Sequence, residues 1–184
     1  TDSFSAVAWV KYDSLQGGIV GKFSRNTVNR GWSFYADSFG SSKIVLRLAN
    51  SNSNRIQKYG STDLIAGQWY HVAFTNSRSS QRMRIYINGS LDKTQSWSSG
   101  GYGLTSWNNP VGVGASIWNG SNNPTNFFDG EISDVRFWDS ERNQSEINTN
   151  KNSTLSTNSN LKLYYKINGF FLAFLETPSR LDMD

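Results

Sequence analysis

The 184-residue chain has no cysteine, three prolines, two methionines and a single histidine. Without cysteine there is no disulfide framework and no thiol chemistry. With no thiolate and one imidazole, His71, a protein zinc site is nearly excluded, because such sites draw mostly on those two side chains. A nucleophile–histidine triad would rest wholly on His71, and no G-x-S-x-G elbow, phosphate loop or H-E-x-x-H helix accompanies it. His71 therefore reads as a hydrogen-bonded strand residue rather than a base. No apolar run approaches the ~20 residues of a membrane span, so no spanning segment is expected. The net charge of +4 comes from scattered Lys and Arg, never five in a row. That pattern describes a mildly basic solvated surface, not a nucleic-acid-binding stripe.

What is present is the signature of a β protein. Aromatic residues make up 14% and charged residues 17%, which describes a globular chain of one domain. Short alternating segments are separated by turns: 4-FSAVAWVK-11, 18-GIVGKF-23, 32-WSFYAD-37, 43-KIVLRLAN-50, 68-QWYHVAFT-75, 83-MRIYIN-88, 111-VGVGA-115, 131-EISDVRFW-138 and 161-LKLYYKI-167. In the first, Phe4, Ala6, Ala8 and Val10 share one face. In the fourth, Ile44, Leu46 and Leu48 do so. The stretch 83–94 reads as a hairpin turning on Asn88-Gly89, since both central positions of a type I′ turn need φ > 0. One segment, 139-DSERNQSEINTN-150, reads as a short helix capped by Asp139 or Ser140 and packed through Ile147. The stretch 50–55, the long tract from Ser96 to Asn126 and the connector 148–160 read as loop.

The opening FSAVAWVK, the turn GGIVGKF, AGQWYHVAFT, the hairpin RIYINGSL, DGEISDVRFWD and LKLYYKING together closely resemble the laminin-G-like branch of the concanavalin A-like lectin/glucanase superfamily. They are also similar to pentraxins. The resemblance runs from about Phe4 to Gly169. It implies a β-sandwich of two antiparallel sheets in a jelly-roll arrangement, with the domain at 1–169. A tail at 170–184 has no counterpart in the family; its run Phe170-Phe171-Leu172-Ala173-Phe174-Leu175 is too apolar for water and is expected to pair as a strand or cover a sheet edge. The chain opens at Thr1-Asp2-Ser3, and any targeting segment or further domain is expected to lie outside it.

That superfamily holds both sugar binders and glycosidases, and the carboxylates separate them. Retaining hydrolysis sets two carboxyl groups about 5 Å apart. The chain has no E-x-D-x-x-E run. Its nearest pair is Glu131 and Asp134, which regular alternation places on opposite faces. The reading is that the chain is not an enzyme and that Asp134 serves Arg136 or the backbone near a bulge. Calcium stays open. In pentraxins its ligands cluster ahead of the G-E-I-like strand, and the matching stretch 116–129 offers Asn119, Asn122, Asn123, Asn126 and one carboxylate, Asp129. Amide-rich ligation of so hard a cation is weak.

Aromatic rings carry the binding signal. Trp9, Trp69 and Trp138 lie in apolar strands and read as packing residues. Trp97, Trp107 and Trp118 sit instead in Gly/Ser/Asn-rich segments, where an indole can stack on a pyranose while Asn119 and Asn122 bind its hydroxyls. The alternative is that these rings pin a long loop to the sandwich. The expectation is a non-catalytic recognition module with a glycan or polysaccharide ligand, in an extracellular, cell-surface or virion adhesion protein. A protein partner without sugar binding is the rival, and a glycosidase the weaker one.

Overall fold

The computed structural model describes residues 3–24, 30–37, 41–51, 54–97, 111–116, 124–155 and 160–166. Within them the first half of the chain forms β1 (Phe4–Tyr12), β2 (Gly17–Ser24), β3 (Arg30–Ala36), β4 (Ile44–Ala49), β5 (Arg55–Tyr59) and β6 (Trp69–Ser77). There follow β7 (Arg82–Ile87), β8 (Ser90–Ser96), β9 (Gly112–Val113), β10 (Gly130–Trp138), α1 (Gln144–Asn150) and β11 (Leu161–Tyr165). One sheet, A, has the order β11-β10-β1-β6-β7-β8; the other, B, runs β5-β4-β3-β2-β9. All pairings within both sheets are antiparallel. The expected antiparallel sandwich is what forms. The tail 170–184 lies outside the described residues.

Alternation builds the core between the sheets. Phe4, Ala6, Ala8 and Val10 of β1 face Trp32, Phe34, Ile44, Leu46 and Leu48 of sheet B, all at most 1% exposed. Aromatic rings knit its centre: Trp32 stacks on Phe137 at 5.3 Å between centroids, and Phe4 meets Phe74 edge-on at 5.6 Å. Such pairs add roughly 0.5–1.5 kcal/mol each beyond area burial. The opposite face of sheet A is apolar only in part. There Val7, Ala73, Tyr86 and Trp138 form a second cluster, and α1 covers it with Ile147. The cap of α1 is Asn143, not Asp139 or Ser140. Its side chain accepts from the Glu146 amide at 2.9 Å while the Glu146 carboxylate accepts from the Asn143 amide at 2.8 Å, so two orphan donors of the first turn are satisfied at once.

Two turns set the geometry around that helix. Asn88 and Gly89 have φ of 53° and 85°, as the hairpin requires. A methyl group on Gly89 would lie 2.5 Å from the Asn148 side-chain oxygen, so the bare turn also lets α1 approach. In β10 the register against β1 shifts: Val7 opposes Arg136, but Trp9 opposes Ser133. The extra residue is Asp134, at φ 50°, and the bulge returns its side chain to the outer face of sheet A. Strict alternation between Glu131 and Asp134 therefore fails, and both carboxylates share that outer face, each beside its own cation. Glu131 pairs with Lys11; Asp134 lies 3.7 Å from Arg136 and accepts from the Tyr164 hydroxyl at 3.1 Å. A structural role for Asp134 is what the sequence led one to expect.

Candidate functional site

Three of the six exposed large apolar side chains among the described residues flank the end of β1. The carbonyl of Tyr12 accepts from the Gly67 amide at 2.7 Å, and the Asp13 amide donates to the Asp129 carbonyl at 3.0 Å. On the neighbouring turn Gly18 donates to the Asn126 carbonyl at 3.0 Å. Gly17, at φ 98°, leaves room for the Phe127 carbonyl, which a side chain there would strike. Ser116 and Thr125 then exchange two backbone bonds of 2.8 and 2.7 Å. Residues 114–116 and 124–130 are thus clipped onto the β1–β2 turn. Beside the rim three large apolar side chains meet solvent: Ile65 is 58% exposed, Phe127 49% and Trp69 42%. Ser14 donates to the Asp129 carboxylate at the same strand end.

Of the proposed sugar-contacting residues, Trp107, Trp118, Asn119 and Asn122 lie outside the described residues. Trp97 does not stand at the surface. It is 5% exposed within the main core cluster, its amide donates to the Gln81 carbonyl at 3.0 Å, and the Arg78 guanidinium lies 5.8 Å from its ring centre. A ring so enclosed has no face for a sugar, and its loop-like neighbours gave a misleading signal. Trp69 errs the other way. Grouped by sequence with the packing tryptophans, it is open to water, whereas Trp138 is 2% exposed. Its place could be read from parity: it shares the His71 side of β6, away from the core, at the strand's first residue.

The calcium donor set is thin where it can be described. The Asn126 carbonyl is taken by Gly18, and the Asp129 carboxylate by Ser14. Among the described residues no group of three or more His, Cys, Asp or Glu side chains converges. Asn119, Asn122 and Asn123 of the expected donor set lie outside the described residues.

His71 is no available base. It is 2% exposed, its ring packs edge-on against Trp9 at 5.3 Å, and its amide donates to the Asn88 side chain at 2.9 Å. Burial first, then the positive charges of Arg136 and Lys151, push its pKa down to about 4. Nδ1 has no hydrogen-bond partner, and His71 lines a void of about 10 Å³, room for one water, under α1. Arg136 roofs the same space, donating to the Asn150 and Ser153 carbonyls at 2.6 and 2.7 Å, with its guanidinium 4.9 Å from the Tyr164 ring centre.

Comparison with known proteins supplies the context. The family described as "Concanavalin A-like lectin/glucanases superfamily", of the laminin-G type, matches residues 1–148. No curated protein sequence matches the chain. Among solved structures the fold is similar to a Bacteroides ovatus protein described as a candidate carbohydrate binding protein, with TM-score 0.69 and 21% identity over 90% of this chain. The chain spans 45% of that protein. A heptameric SAP-like pentraxin of Limulus polyphemus gives TM-score 0.60 and 22% identity, covering 80% of this chain and 69% of its own. The CBM40 of the Ruminococcus gnavus IT-sialidase, solved with α2,3-sialyllactose, gives 0.63 and 14% identity, covering 80% and 82%. At such identities these likenesses speak for the fold. Among the described residues no helix is long and apolar enough to cross a membrane.

Proposed function

From the premise that this chain belongs to the concanavalin A-like lectin/glucanase superfamily, we propose that it is a non-catalytic recognition module whose ligand is a glycan. The observation that carries the reading is the shared sandwich: the similar structures named above include a carbohydrate-binding module solved with its sugar. Two features of the molecule favour it. Glu131 pairs with Lys11 across the sheet and Asp134 lies beside Arg136 of its own strand, so neither member of this carboxylate pair is placed as a free acid or nucleophile. The rim at the end of β1 carries exposed rings beside hydroxyl and carboxylate groups, the mixture that sugar recognition uses. We assign Trp118, Asn119 and Asn122 as contacts on their sequence chemistry, with Trp107 as a further candidate; the burial of Trp97 speaks against it. A secreted, cell-surface or virion setting goes with such a ligand.

The test is a glycan array probed with calcium and again with chelator, using wild type and Trp118→Ala. Binding that survives chelation and is lost in Trp118→Ala, with an unchanged melting temperature, is the expected result. Loss on chelation would restore a calcium site. Silence under both conditions would overturn the glycan reading in favour of a protein partner, for which exposed Ile65 and Phe127 are the natural anchors.

A further inference from the structure

Three residues form a row across the outer face of sheet A. Trp69 of β6 lies opposite Lys11 of β1, and Lys11 lies opposite Glu131 of β10. The Lys11 ammonium is held from both sides. It ion-pairs with Glu131 and sits 5.8 Å from the centre of the Trp69 ring. All three remain accessible: the ring residue is 42% exposed, and the Lys11 and Glu131 side chains 26% and 31%. The row just above closes the shelf. There Trp9 opposes His71, and its indole nitrogen donates to the Lys151 carbonyl at 2.9 Å, so the turn after α1 forms a wall.

We propose that this row is a sugar subsite that takes an uncharged pyranose, its ring stacked on Trp69 and two adjacent hydroxyls bound by Lys11 and Glu131. The proposal rests on the glycan reading above and places one contact of the ligand outside the 117–123 segment. Its logic is chemical. A sugar ring has C–H groups on one face, which suit an indole. Its hydroxyls both donate and accept, and a neighbouring ammonium and carboxylate supply the two complementary halves in strong, charge-assisted form. The two charges compensate each other, so an anionic sugar gains nothing from the row while a neutral one loses nothing. The tie of Lys11 to both neighbours also holds the groups in place before any ligand arrives, which lowers the ordering cost of binding.

The experiment measures affinity for lactose, maltose, cellobiose and α2,3-sialyllactose, alone and as immobilised array glycans, for wild type, Trp69→Ala, Glu131→Gln and Trp118→Ala. Indole N–H resonances are followed by NMR in the same titrations. The proposal expects Trp69→Ala to weaken neutral-glycan binding about tenfold. It expects Glu131→Gln, which keeps size and fold, to weaken binding several-fold, and the Trp69 indole signal to shift on titration. Neutral-sugar affinity should hold between about 0.05 and 0.5 M NaCl, since no net charge is neutralised. Wild-type binding that both Trp69→Ala and Glu131→Gln leave intact overturns this subsite while the glycan reading stands. A preference for sialyllactose that fades with salt overturns the neutral-ligand assignment. A wild type that binds no glycan overturns both.

Discussion

Mild acid should loosen this protein through one side chain. His71 is the sole histidine, buried between sheet A and α1. Arg136 on β10, Arg142 before α1 and Lys151 after it line the same void, against a single carboxylate, Glu146. Burial and the Arg136 and Lys151 charges hold its folded pKa at about 4, against 6.5 for an ordinary histidine. Below pH 6.5 the unfolded chain takes up a proton that the folded chain refuses until about pH 4. In that window the unfolded state binds more protons, so stability falls as pH falls. At about 1.4 kcal/mol per pH unit, the loss reaches roughly 2.5 kcal/mol by pH 4.5, or about 5–10 °C in Tm for a chain of this size. The assay is urea unfolding, followed by tryptophan fluorescence, from about pH 7.5 to 4.5 for wild type and His71→Gln. Carboxylates titrate alike in both proteins and cancel from the difference. The variant starts lower, because glutamine packs less well against Trp9, but its stability should fall more gently. Parallel pH profiles would refute the argument, since they would mean that the folded protein protonates His71 as readily as the unfolded chain does.

Two further outcomes test the packing. Trp97→Ala should cost about 3–5 kcal/mol, the loss expected of a large buried ring, read as a fall in the urea midpoint at unchanged slope; a change under 1 kcal/mol would return Trp97 to the surface. Gly89→Ala should cost about 1–2 kcal/mol, since a left-handed alanine is strained and its methyl group displaces the Asn148 side chain, and Asn88→Gly should cost about 1–3 kcal/mol, because it removes the side-chain oxygen that accepts from the buried His71 amide.

Strong alternation made most of the fold legible. Phe4, Ala6, Ala8 and Val10, or Ile44, Leu46 and Leu48, announce a face that only a sandwich interior can bury, and Asn88-Gly89 fixes a register. β5 carried no such announcement. Arg55-Ile56-Gln57-Lys58-Tyr59 has one aliphatic residue, because an edge strand packs on one neighbour and needs little apolar surface. The start of α1 was written in Asn143 and Glu146, three apart, but Asp139 and Ser140 offered equally good capping chemistry without the matching glutamate. The bulge at Asp134 was invisible to a period-2 argument, which cannot count an inserted residue. For the site, composition misjudged two rings. Gly and Ser following Trp97 suggested a loop, although Trp97 closes β8 against the core. Trp69 looked internal because its neighbours Tyr70 and Val72 are, although its own parity pointed outward.

Among the described residues the two sheets end in four edge strands, and these bear on how such a module behaves in a crowd. Unpaired strand edges invite pairing with another chain, and short length or charged side chains deter it. Here β9 is two residues long. β5 carries Arg55 and Lys58, β8 carries Asp92 and Lys93, and β11 carries Lys162. On β8 the deterrent is doubled, because Asp92 turns aside to accept from Ser61 and Thr62 and breaks the regular register beside it. Along these described edges, copies of the sandwich packed side by side on one surface would therefore meet through side chains rather than zip into a continuous sheet.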